Sequence, residues 1–139
     1  MRLVTREERP LTSFEKLLLG AHVWKVHLAV RTGLRRESLP ALVARLNVGD
    51  GAGDELADPA RLSRIVDKSL SVFGLRPRCL VLALVLYRVM RERGLPAEVV
   101  IGIPHHAEDH LAHAWVEVGR VDFGPPPGRG RHQELVRYP

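Results

Sequence analysis

A single cysteine, Cys79, excludes an internal disulfide framework and any zinc site built from several thiolates. A lone cysteine is compatible with a reducing compartment, and is either a small apolar packing residue or a reactive thiol. Aromatic residues are only 5% of the chain and are not interleaved with its basic residues. The stacking surfaces that hold single-stranded nucleic acid are therefore missing. Long hydrophobic runs are missing as well. The longest, Cys79 to Leu86, falls far short of the roughly 18 to 20 residues that span a bilayer. The N-terminal MRLVTREERP carries charges of both signs and does not read as a secretory signal. These absences point to a soluble, cytoplasmic protein with no membrane and no nucleic acid among its partners.

What is present suits one globular domain spanning residues 1–139, with 45% hydrophobic and 27% charged residues. The 21 basic and 16 acidic residues leave a formal charge of +5. That balance admits an acidic peptide as partner without selecting one. Leu11-Thr12-Ser13 offers a helix cap with Glu15 in the first turn. Leu17, Leu18, Ala21, Trp24 and Leu28 then recur at helical spacing as far as Gly33. A short second helix is predicted from Leu39 to Leu46, with Pro40 in its first turn, and Gly49 to Gly53 forms a loop. Asp58-Pro59 opens a third helix with Leu62, Ile65, Val66, Ser69, Leu70 and Phe73 on one face, stopped by Gly74. Pro77 begins a fourth, apolar nearly all round and so central, ending at Gly94. The period then changes. Glu98–Ile103 and His113–Val118 read as strands, Gly119-Arg120 as a tight turn, and Val121–Phe123 as a short third strand. The Gly124-Pro-Pro-Pro-Gly128 run predicts an irregular tail. Helices first and sheet second define an α+β domain.

Cys79 falls in the first turn of the central helix, directly after Arg76-Pro77-Arg78. Unpaired backbone N–H groups, the positive end of the helix dipole and two guanidinium groups all favour its thiolate, which is the nucleophile. The same N–H groups suit an oxyanion on a scissile carbonyl. His113 lies on a strand where His113, Trp115 and Glu117 point one way and Ala114, Val116 and Val118 the other. Turned toward the start of the central helix, His113 can act as base and then as acid. Asp122, on the next strand, is the candidate that orients the imidazole, and Asp109 competes with it. Trp115 either shields this pair from water or is a plain core aromatic. Arg76, Arg78 and Trp115 are the candidate substrate-contacting residues.

The blocks Pro77-Arg78-Cys79-Leu80, Leu86-Tyr87, Gly94-Leu95, Val100-Ile101-Gly102-Ile103 and His113-Ala114-Trp115-Val116-Glu117 resemble the transglutaminase-like leader peptidases of lasso peptide biosynthesis. The first helix and Leu39-Pro40-Ala41-Leu42 are similar too, so the resemblance covers most of the chain. It implies a papain-like α+β fold, with central Cys-bearing helix and small antiparallel sheet. It also implies a Cys79-His113-Asp122 triad that cuts the leader from a ribosomally made precursor, without cofactor. The partners implied are the leader, a separate small leader-recognition protein, and a cyclase that closes the ring on the freed core.

Two other functions share these residues. A transglutaminase-like acyltransferase would pass the same acyl-enzyme to an amine instead of water. A non-catalytic peptide-binding module would keep the fold alone. His105, His106, His110 and His113, with Glu108 and Asp109, have partly ligand-like spacing. They follow a strand and Pro104, however, so a polar loop over the site mouth is expected and a metal is not. Leu18, Val23 and Val26 are either a partner surface or core.

Overall fold

The computed structural model describes residues 12–48, 58–72, 77–104, 112–126, 130 and 132–139. Helix α1 spans Ser13–Arg36, and its start is a reciprocal cap. The Thr12 hydroxyl accepts the Glu15 N–H at 3.2 Å, while the Glu15 carboxylate accepts the Thr12 N–H at 3.4 Å. Gly33 does not end this helix. It is buried within it, because a Cβ there would lie 2.5 Å from Leu42 Cδ1. The glycine is a packing gap that lets α2 (Leu39–Leu46) approach closely. Helix α3 (Pro59–Ser71) starts where Asp58 accepts the Ala60 N–H at 3.1 Å. Helix α4 runs Cys79–Glu92, two residues later than Pro77, and turns into the sheet through Gly94 at a φ of 77°.

Four strands follow: β1 (Ala97–Pro104), β2 (His113–Val118), β3 (Val121–Asp122) and β4 (His132–Tyr138). They form one antiparallel sheet in the order β3-β2-β1-β4. Gly119 and Arg120 both take positive φ, 58° and 67°, as a two-residue hairpin turn requires. The strand β4 corrects the expectation of an irregular tail. Residues 132–138 form an edge strand on β1, anchored by Tyr87, whose hydroxyl donates to the Pro139 carbonyl at 2.7 Å. Four of its seven positions are exposed, so it lacks the alternation that marks a strand in sequence.

The core lies between the helices and one face of the sheet. Ala97, Val99, Ala114 and Val116 pack there with Ala83 to Tyr87, Val89 and Met90 of α4. Each fully buried Val or Leu contributes roughly 1.5–3 kcal/mol by leaving water. Helix α1 joins this core through Val23, Val26, His27, Val30 and Gly33. Three leucines of the stripe that recurs along α1 face solvent, Leu17 at 70% exposure, Leu28 at 61% and Leu18 at 54%, while Trp24 packs partly against the core. Helix α1 carries two apolar stripes, and only contact with α3 and α4 decides which is covered. Val23 and Val26 are therefore core residues. No helix among the described residues is long and apolar enough to cross a membrane.

Candidate active site

Cys79 is the first residue of α4, with Arg78 as the cap residue. Among the described residues no side chain caps the first-turn N–H groups, which suit a carbonyl oxygen. Cys79 is partly exposed. Helical spacing puts it on one stripe with Ala83, Leu86 and Met90. The opposite stripe holds Arg88, which reaches the Leu46 carbonyl at 3.5 Å, and Glu92, which meets His22 at 2.6 Å. Cys79 is therefore turned away from α1 and α2.

The path of the chain brings His113 to the same end of the fold. Strand β1 doubles back along α4 after Gly94, and β2 returns with His113 opposite Gly102, near the end of β1. His113 does not share the core-facing side of β2 with Ala114 and Val116. It stands on the other face with Trp115, Glu117 and, on β3, Asp122, which is in register with Glu117. Among the described residues no hydrogen bond joins His113 to Cys79.

The His113 ring is held closely. Nε2 lies 2.8 Å from the Pro125 carbonyl, and a carbonyl only accepts, so Nε2 carries the proton. Nδ1 is left as the basic nitrogen. The rings of Trp115 and His132 lie 6.1 Å and 5.1 Å away. Burial lowers the His113 pKa from its ordinary 6.5; the Pro125 carbonyl and the Asp122 charge oppose this, and His132 adds to it. Asp122 accepts the Gly124 N–H at 2.7 Å. It reaches His113 through charge and through this turn.

Behind the histidine lies a buried polar network. Trp115 and Glu117 are each only 1% exposed. The Trp115 indole donates to Glu117 at 2.8 Å, and the other Glu117 oxygen takes Arg137 Nη2 at 3.0 Å. Arg137 also bonds Glu98 and Glu134. The Trp115 ring lies across Gly102, where a Cβ would sit 2.8 Å from Cη2 and 2.6 Å from the Gln133 carbonyl. Only a glycine allows that approach.

A helix opening on a cysteine, packed on a small antiparallel sheet that presents a histidine, now has a counterpart among known proteins. The family model of the Transglutaminase-like superfamily matches residues 22–137. The chain belongs to the transglutaminase-like superfamily. Neither the curated proteins nor the solved structures contain a match. Transglutaminase-like folds generally serve cysteine peptidases and acyltransferases. In this transglutaminase-like chain Cys79, His113, Trp115 and Asp122 all fall inside the matched span.

The remaining expected site residues divide. Arg78 is exposed beside Cys79. Arg76, Asp109, His105, His106, Glu108 and His110 lie outside the described residues, as do Phe73, Gly74 and the glycine loop at 49–53. Among the described residues no group of three or more His, Cys, Asp or Glu is placed to hold a metal. Sequence reasoning missed the Pro125 carbonyl, His132 and Arg137. A backbone acceptor has no side-chain signature, and the other two belong to the unrecognised β4.

His27 is also buried. It lines a cavity of about 470 Å³ with Trp24, Leu70, Pro77, Arg78 and Val81, and its enclosed Nδ1 has no hydrogen-bond partner among the described residues. Burial lowers its pKa from 6.5, and Arg31 adds to this. The folded protein therefore holds His27 and His113 neutral, while the unfolded chain protonates them near 6.5. Their contribution is complete above that pH and is lost as pH falls through 6.5 and below. The thermal midpoint should fall between neutrality and about pH 5, and His27→Leu should flatten that fall. An unchanged slope in that variant would show that His27 is not a source of acid sensitivity.

Proposed function

We propose that this chain is a cysteine peptidase that removes the leader from a ribosomally synthesised lasso precursor. The supporting observation is Cys79 as the first residue of α4, with first-turn N–H groups that no side chain among the described residues caps. The blocks around Cys79 and His113 that resemble leader peptidases supply the substrate class. Nδ1 of His113 takes the thiol proton and the thiolate attacks the carbonyl at the leader–core junction. The first-turn N–H groups receive the oxyanion, and His113 returns the proton to the departing core amine. Water then hydrolyses the thioester and frees the leader. Arg76 and Arg78 meet acidic groups of the precursor, and Asp122 supports the imidazolium by charge. The small recognition protein presents the leader, and the cyclase receives the core. Transfer of the acyl group to an amine would use the same acyl-enzyme.

The test begins with the only cysteine in the chain. Iodoacetamide should label Cys79 faster than free cysteine at about pH 6, where an ordinary thiol is almost fully protonated. Mass spectrometry of the lasso precursor encoded nearest the chain should then show one cut, accelerated by the recognition protein. Cys79→Ala should remove that cut and leave the fold intact. Cleavage by purified Cys79→Ala protein would sink the proposal.

A further inference from the structure

We infer that the group orienting the catalytic imidazole is the backbone carbonyl of Pro125, and that Asp122 positions that carbonyl. The inference rests on His113 as the base of the proposed reaction. In a nucleophile-base pair the second ring nitrogen needs an acceptor, which fixes the tautomer and frees the correct nitrogen for the thiol. A side-chain carboxylate is the usual way to supply it. Here the acceptor at Nε2, 2.8 Å away, is a peptide carbonyl.

A carbonyl can do this only if its segment is fixed, and residues 122–125 are tied down at every step. The Phe123 N–H donates to the Val116 carbonyl at 2.9 Å, and the Val116 N–H to the Gly124 carbonyl at 2.8 Å. Ser63 on α3 donates to the Phe123 carbonyl at 2.6 Å. Asp122 accepts the Gly124 N–H at 2.7 Å, which fixes the Phe123–Gly124 peptide, and so the course of the chain into Pro125. The strap thus runs from β3 to the histidine with its last carbonyl aimed at Nε2. Asp122 contributes twice, by holding the strap and by its charge near His113, where His132 acts in the opposite sense.

These two contributions separate by mutation. Asp122→Asn keeps an oxygen for the Gly124 N–H and removes the charge. Asp122→Ala removes both. Labelling of Cys79 by iodoacetamide, followed against pH, reads the pair without needing the precursor. The Asn variant should label within about tenfold of the unaltered chain, with its acid limb moved to lower pH because a charge favouring the imidazolium is gone. The Ala variant should be slower than the Asn variant by roughly a further tenfold, the worth of one lost hydrogen bond of this kind. Nitrogen-15 NMR of the neutral His113 ring should show Nε2 protonated and Nδ1 bare.

A loss on the order of 10³–10⁴-fold for Asp122→Asn, with its thermal midpoint preserved, would overturn the inference in favour of a carboxylate orienter. So would an Nδ1–H tautomer, or equal rates for the Asn and Ala variants. The tautomer is measurable whether or not the protein cleaves anything. A Cys79 no faster than free cysteine, with Nε2 protonated, defeats the peptidase reading and leaves the strap in place. A fast Cys79 with Nδ1 protonated does the reverse.

Discussion

His113→Ala should slow precursor cleavage and Cys79 labelling at about pH 6 by on the order of 10²–10⁴-fold, the range that a positioned base contributes. The path of β1 and β2 carries the imidazole toward the Cys79 end of the molecule. Its ring is fixed by Pro125 and flanked by Trp115 and His132. Burial lowers its pKa, so the neutral base persists below 6.5 and the acid limb of kcat/KM should fall below that pH. Stopped-flow labelling and cleavage rates across pH, with thermal midpoints as the control for folding, make the comparison. A His113→Ala protein that folds and labels at the unaltered rate would remove His113 from the reaction.

The largest effect on stability is expected from Arg137→Ala, at about 3–5 kcal/mol. Glu117 is 1% exposed and paired with Arg137, so deleting the guanidinium removes a counter-charge from a buried carboxylate that also accepts from the Trp115 indole. Against a total of roughly 5–15 kcal/mol for a domain of this size, that is a large share. The double variant Glu117→Gln with Arg137→Met should recover most of the loss. The amide still accepts from Trp115 and no charge remains at the buried position 117, while Glu98 and Glu134 are more exposed to water. Urea denaturation of the three proteins decides it. A single variant that unfolds at the unaltered midpoint would mean that water reaches Glu117 and the network is dispensable.

Local signals in the chain are strong where one residue type does one job. The capping box of Thr12 and Glu15, the proline opening α2 and the glycine ending α4 each satisfy backbone groups within a few residues. These elements appear at or near the positions their residues indicate. Alternation in His113–Val118 likewise specifies a strand with His113, Trp115 and Glu117 on one side. Helix α1 shows the limit of periodicity. Its Leu17–Leu28 stripe and its Val23–Val30 stripe are both helical, and nothing local ranks them. Edge strand β4 shows another limit, because its pairing with β1 comes from backbone groups every residue owns.

The sequence by itself determined the kind of fold and its chemical ends: helices, then sheet, with a thiol at one helix start and a histidine at one strand start. Tertiary structure alone decided what surrounds them. It turned His113 to the face away from the α4 core, put a peptide carbonyl on its Nε2, and closed Arg137 over Glu117 from a distant strand. The division has a physical cause. Periodicity and capping are short-range, encoded by side chains a few residues apart. Burial, register and backbone acceptors depend on segments far apart in the chain meeting in space.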